Sequence, residues 1–360
     1  MRQKGGLGKN QIFCMRWLSL FFLIPFALYA RQIDTFYGSI EVEEPVLLEL
    51  IESAAFQRLK FIHQYGVAYY TTHREEYTRY DHSLGVFVIL RAQNCSLQEQ
   101  IAGLLHDVSH TAFSHVGDWI FGKANQEKDY QNSIHDVFLE QSGLEEILKK
   151  YNFTIDQILP TEESFPALES RLPNLCADRI DYNIQGAYYQ GFITYEEAQQ
   201  IFRGLHFVDG AWMSVDGELM KKVVRFSLFM TQDCWGSPAN YFSSRWLADA
   251  ILKGIELGCI SDQEVHFGTD QAIWDKLIAC EDLFVQKKMK MLHQADASYL
   301  LVDCFEADLI LKSKFRGIDP WIFSEGKLVR LTAIDPILAA EYKSVKERIE
   351  KGLAIKIIPK

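Results

Sequence analysis

The chain has 360 residues, 48 of them acidic and 37 basic, for a formal net charge of −11. Hydrophobic residues make up 48% and charged residues 24%. That composition can bury a full core, which excludes a disordered chain, a coiled coil and a collagen-like repeat. The acidic balance argues against a protein that coats nucleic acid, because neutralising phosphates needs a basic face.

Residues 1–30 hold Arg2, Lys4, Lys9 and Arg16 and no acid, and they end in the apolar run from Trp17 to Ala30, interrupted by Pro25. A basic stretch, a short apolar segment and a small terminal residue predict a signal peptide or anchor over 1–30, and with it export or membrane attachment; otherwise the chain is expected to be cytoplasmic. The seven cysteines include no CxxC pair, which argues against a cysteine zinc site. Residues 43–65 read as a helix, since Val46, Leu47, Leu50, Ile51, Ala54, Leu59 and Ile62 recur at helical spacing. Further helices are predicted from about Tyr80, over 97–108, around 131–151 and over 172–190, with Pro160, Pro166 and Pro173 marking a loop. Residues 205–217 read as a strand, an Asp209-Gly210 turn and a second strand. Helices resume at 218–232, 241–257 and 270–295, and the tail reads as strands at 326–333 and 353–358 around a helix at 336–351. The expected fold is mostly α, with a small β-hairpin and a mixed α/β C-terminal region. The expected divisions are a core over 31–204, a hairpin and helical extension over 205–260, and an α/β region over 261–360.

Five of the ten histidines fall between 82 and 135, four of them beside or near an aspartate. The segments are Arg79-Tyr-Asp-His82, His106-Asp-Val-Ser-His110, His115-Val-Gly-Asp118 and His135-Asp136, followed later by Asp178-Arg-Ile-Asp-Tyr182. A lone histidine on an apolar helix is more often a hydrogen-bonded core residue, but the set is harder to dismiss. His106 and Asp107 close the apolar stretch Ile101-Ala-Gly-Leu-Leu105. A carboxylate buried there is costly unless it is paired or bound to a cation, and a divalent ion accepts both groups near a helix end. His82 and Asp178 can complete a mixed imidazole–carboxylate site with positions left for water, which suits hydrolysis.

This pattern, His82…His106-Asp107…Asp178, resembles the H…HD…D signature of the HD-domain metal-dependent phosphohydrolases. The stretches Phe56–Gly66, Arg79–Val86 and Ala102–His115 resemble the dNTP triphosphohydrolase branch, which includes the mammalian SAM-and-HD-domain enzyme and bacterial dGTP triphosphohydrolases. The resemblance covers residues 35–255 and is most specific over 56–118. It implies an HD-domain helical core and an enzyme that hydrolyses nucleotides. It implies one divalent transition metal (Fe, Mn, Ni or Zn) at His82, His106, Asp107 and Asp178, with Mg accompanying the nucleotide. It places His110, His115 and His135 along the phosphates, with His115 and Asp118 as an acid–base pair, and Asp136 where the family has Glu. Arg79 and Arg179 match phosphate contacts, and Gln64 and Tyr182 match positions near the sugar.

The chain departs from the branch at Gly186, where the family has an Asp that holds the sugar 3′-hydroxyl. The family's later Arg, His and Tyr contacts fall on Gln232, Gly236 and Asn240, with Tyr241 adjacent. No counterpart of the SAM domain or of the basic activator sites is visible. Metal and phosphate chemistry are therefore expected to match the family while nucleotide recognition differs. The expected partner is a small phosphate-bearing molecule, a nucleotide first, with no sequence-specific nucleic-acid binding and with homo-oligomerisation compatible. Hydrolysis of another phosphate ester and a non-catalytic, metal-containing binding module are the alternatives.

Overall fold

The computed structural model describes residues 30–72, 76–122 and 129–358. The signal-peptide reading falls almost wholly outside them. Among the described residues no helix is long and apolar enough to cross a membrane.

The fold is mostly helical. Its centre is the helix Arg79–Ala92, buried almost all round, which packs between Leu97–Leu105 and Ala177–Tyr189. A helix buried on nearly every side belongs in a core. Its start is fixed by a capping box: Thr78 Oγ1 accepts from the Asp81 N–H, and the Asp81 carboxylate accepts from the Thr78 N–H. That cap sets the first turn, which carries Arg79 and His82.

Three expected helices are broken, 270–295 into Asp270–Ala279 and Leu283–Leu292. The 43–65 segment is Pro45–Glu52, then a turn Ala54–Gln57 and a 3-10 turn Arg58–Phe61. Ser53 leaves helical geometry and caps the second piece through its hydroxyl, a competition for backbone groups that apolar spacing does not register. Likewise 131–151 is three short helices, Tyr130–Ser133, His135–Gln141 and Leu144–Lys150, with Gly143 left-handed at φ 80°. A hairpin of Arg31–Thr35 and Gly38–Val42 precedes them and was not anticipated, because it follows directly on the apolar run of residues 17–30.

The Leu205–Val208/Ala211–Ser214 hairpin forms as expected, with Asp209 and Gly210 both at positive φ as its two-residue turn demands. Trp321–Ser324 adds to it in parallel and Lys327–Arg330 pairs beyond that, so the tail completes a four-stranded sheet. A second tail sheet runs Tyr299–Leu301, Leu353–Ile357, Leu309–Leu311.

The buried apolar residues form two clusters. One contains Phe56, Phe87, Leu104, Val108, Ile180 and Phe226 and reaches Ile318 and Leu338. The other contains Ala112, Phe113, Val116, Trp246, Val265 and Ile273. The segment 108–116, which carries His110 and His115, therefore crosses the seam between the two.

Candidate metal centre

Three helices deliver the four converging groups. His82 comes from the first turn of Arg79–Ala92, His106 and Asp107 from the end of Leu97–Leu105, and Asp178 from the start of Ala177–Tyr189. His106 Nε2 lies 3.2 Å from His82 Nε2, and Asp178 Oδ1 lies 3.1 Å from His82 Nε2 and 3.5 Å from His106 Nε2. Asp107 Oδ2 lies 3.5 Å from His82 Nε2. Ligand atoms of His82, His106 and Asp107 all fall within 4.8 Å of one another, and all three side chains are buried.

Where the protons sit decides what this cluster can hold. His106 Nδ1 donates to the Gly103 carbonyl at 2.8 Å, and a carbonyl can only accept. His82 Nδ1 donates to Asp181 Oδ2 at 2.6 Å. With both Nδ1 atoms protonated, neutral rings present two bare Nε2 lone pairs to each other and to two carboxylates. Such a set is repulsive unless positive charge sits among it. One proton satisfies a pair of these atoms, whereas a divalent ion satisfies all four, so the donor set fits a metal. In the metal-free protein burial opposes charging of His82, yet the Asp178 and Asp181 carboxylates push it up to about 10. Burial likewise opposes ionisation of Asp107, but the His106 imidazole and the Arg79 guanidinium hold it well below the usual carboxylate range.

Asp181 was not singled out from the sequence, although it stands three residues from Asp178 and so shares its helix face. It is fully buried, accepts from Gln185 as well as His82, and fills the space above Gly85. A Cβ at Gly85 would fall 1.9 Å from Asp181 Oδ1. Glycine there is what allows the helix carrying His82 to approach the helix carrying its carboxylate partner.

Around the cluster lie the other expected residues. Arg79 Nη1 donates to Asp107 Oδ2 at 2.5 Å, and its Nε donates to Ser114 Oγ at 3.1 Å. His110 Nε2 is 3.2 Å from Asp107 Oδ1. His135 pairs through Nδ1 with Ser109 Oγ at 2.8 Å. Among the described residues each leaves one buried ring nitrogen, His110 Nδ1 and His135 Nε2, without a partner, as groups awaiting a ligand would. His115 is half exposed, its Nδ1 3.4 Å from Asp118 Oδ2, while Asp118 Oδ1 accepts from the Tyr130 N–H. Asp136 is exposed and accepts from the Val137 N–H at 2.8 Å.

Tyr182 is half-buried, its ring centre 6.4 Å from that of His82. Gln64 meets Arg79 through its backbone carbonyl, at 3.3 Å. Arg179 donates to the Asn174 carbonyl at 2.9 Å and lies next to Asp178, whose charge acts on it. Glu169, also absent from the sequence reading, lies near Asp178; burial and that carboxylate push it up to about 7. Beyond Tyr182 stands Trp235, their ring centres 5.7 Å apart. Trp235 ends a π-helical segment, Met230–Trp235, a feature frequent at functional sites. It walls a cavity of about 350 Å³ with Tyr65, Ala68, Met230 and Asn240.

These environments set an acid limit on stability. Burial and the Arg79 charge lower His110 to about 3, and burial and His106 lower His135 to about 4. Both pKa values are depressed relative to an unfolded histidine, so the unfolded chain binds more protons below about pH 6.5 and stability falls with pH there. Asp107 and Asp178 are lowered too and act in the same direction further down. In the metal-stripped protein the contribution of His110 and His135 is therefore lost between about pH 6.5 and 4, against an opposite contribution from Glu169, Asp181 and Asp270, whose burial raises them. Relative to the wild type, a His110→Gln variant should lose less unfolding temperature on going from about pH 6.5 to 4; an equal change in both proteins would assign His110 no part in the acid response.

Comparison with known proteins agrees with the geometry. Residues 79–161 match the HD domain family. The chain is 34% identical over 254 residues to the "Metal-dependent phosphohydrolase cns2" of Cordyceps militaris, covering 68% of this chain and 72% of that protein. It is 32% identical over 325 residues to the "Uncharacterized protein YdhJ" of Bacillus subtilis, covering 90% and 98%. Similarity to the "Deoxynucleoside triphosphate triphosphohydrolase SAMHD1" of Xenopus laevis is 32% over 138 residues, 32% of this chain and 22% of that one. A crystal structure of a hypothetical protein from Aquifex aeolicus shares the fold, with a TM-score of 0.64 at 18% identity, covering 86% of this chain and 93% of that one. The chain belongs to the HD-domain metal-dependent phosphohydrolases.

Proposed function

We propose that the chain hydrolyses a nucleotide at a single transition-metal ion held by His82, His106, Asp107 and Asp178. The observation that supports this best is the pair of imidazole Nε2 atoms, 3.2 Å apart and faced by two carboxylates, with each ring's Nδ1 hydrogen-bonded elsewhere. Iron, manganese, nickel and zinc all suit such a mixed set. When bound, the ion supplies Lewis acidity and an acidified water at neutral pH.

The remaining work falls to the chain's own side chains. Buried, neutral His135 can turn its Nε2–H to a phosphate oxygen while Ser109 donates to its Nδ1, whereas neutral His110, its Nε2–H given to Asp107, offers Nδ1 as an acceptor to a water or a protonated phosphate oxygen. Arg79 stabilises negative charge developing on the phosphoryl group while holding Asp107 in place. His115, oriented by Asp118, protonates the departing oxygen. Tyr182 and Gln64 border the position of the sugar, and Arg179 adds positive charge behind Asp178. The cavity beyond Trp235 is of the size ligand pockets take and offers aromatic walls for a base.

A dNTP split into nucleoside and triphosphate is the first substrate class. A specific observation favours a second reading, in which the ester is not a deoxynucleoside triphosphate. At Gly186 a Cβ would fall 2.5 Å from the Phe226 ring and 2.8 Å from the Tyr65 hydroxyl. The space a sugar-binding Asp would use is thus taken by Phe226. The full chain loaded with manganese and offered dNTPs, nucleoside monophosphates and p-nitrophenyl phosphate separates the readings. Free triphosphate from dGTP supports the first, and orthophosphate from the monoesters alone supports the second. No turnover of any of them by the loaded protein would overturn the enzyme assignment and leave a metal-containing binding module.

A further inference from the structure

Asp270 is a fully buried carboxylate for which the proposed chemistry has no use. It opens the helix Asp270–Ala279, far along the chain from the candidate centre. One oxygen accepts from the Phe113 N–H at 2.6 Å, and the other accepts from the His63 N–H at 2.9 Å. The same stretch of chain is tied to the 108–113 segment once more directly and once through Arg58. The Val265 carbonyl accepts from the Ala112 N–H at 2.9 Å. Buried Arg58 donates to the Gly268 carbonyl and to those of Val108 and His110.

The backbone held in this way is unusual. Phe113 and Ser114 have φ of 60° and 54°, two successive non-glycine residues in the left-handed region. Side chains disfavour that conformation, and it persists only where surroundings over-determine it. Ser114 closes a circuit: its hydroxyl donates to the His63 carbonyl at 2.8 Å and accepts from Arg79 Nε at 3.1 Å. The next residue is His115.

We propose that Asp270 is a positioning residue. By accepting the Phe113 and His63 N–H groups it holds the left-handed turn that aims His115 and, through Ser114, seats Arg79 against Asp107. The idea rests on the reading of His115 and Arg79 given above. It also gives a task to residues 265–270, which carried no assigned role.

The test uses the full chain with Asp270→Asn, which keeps the side chain's shape but sets an N–H donor against one of the two N–H groups. Metal content should stay at the wild-type level. Hydrogen exchange should accelerate in peptides spanning 111–117 and remain unchanged across Arg79–Ala92. On whichever phosphate ester the wild type turns over, kcat should fall about tenfold to a hundredfold with KM little changed, the signature of misaligned reacting groups. Wild-type exchange in 111–117, or an unchanged kcat, would overturn the proposal. If the wild type hydrolyses no ester, the functional reading fails while the exchange measurement still decides the clamp. If Asp270→Asn yields no folded protein, Ser114→Ala cuts the same circuit at a less demanding point. A lowered kcat with metal retained then supports the proposal, and an unchanged kcat overturns it.

Discussion

The His106→Ala, Asp107→Ala double variant is expected to lose its metal: elemental analysis should find about one ion per chain in the wild type and essentially none in the variant. Two of the four converging groups go, and the remaining pair, His82 and Asp178, is 3.1 Å apart with too few donors to retain an ion against buffer. Arg79 also loses its partner, so the buried guanidinium is left unpaired and stability falls as well. A milder companion, Asp181→Asn, removes only the carboxylate behind His82 Nδ1. Outer partners of this kind typically contribute about 10–100-fold in metal affinity, so metal binding should weaken without vanishing. Unchanged metal content in the double variant would place the ion elsewhere.

The second large effect concerns turnover. His115→Ala should keep the ion and lower kcat by about 10²–10⁴-fold, the usual loss when a general acid is removed. Its ring is half exposed and lies five residues beyond His110, past the left-handed Phe113–Ser114 turn, their ring centres 5.1 Å apart, so it can reach a leaving group without joining the metal ligands. Asp118→Asn should produce a smaller loss, because Asp118 orients the ring at 3.4 Å and also holds the Tyr130 N–H. Wild-type turnover by His115→Ala with metal bound would move the acid to His135, whose free Nε2 is the next candidate.

Much of the centre was legible in the sequence, for a physical reason. His106 and Asp107 close an apolar helix, where burial demands a partner and a divalent ion accepts both, and His82 and Asp178 followed as the groups that complete the set in the family pattern. The Asp209-Gly210 hairpin was equally legible, since a two-residue turn requires left-handed backbone at both positions. What escaped depended on contacts across long separations. Asp270 reads as an ordinary first-turn acid after the Thr269 cap, and only folding brings it onto Phe113 and His63. Phe113 and Ser114 carry no sequence mark of a left-handed turn; glycine or asparagine would have given one. Glu169 sits in a loop between Pro166 and Pro173, where nothing announces burial beside Asp178. Ser53 broke an apolar period because its hydroxyl caps the next turn, a hydrogen bond that periodicity does not encode. At Gly186 the sequence marked a missing carboxylate, and the fold adds that Phe226 occupies the space.

Hydrolysis by this chain should depend on an ion at this one place. The most direct measurement strips the full chain of metal, titrates manganese back, and follows phosphate-ester turnover by phosphorus NMR alongside bound metal. The expected result is no turnover in the stripped protein, recovery that saturates at about one ion per chain, and no recovery in the His106→Ala, Asp107→Ala variant. Turnover that survives stripping, or that recovers equally in the variant, would contradict it.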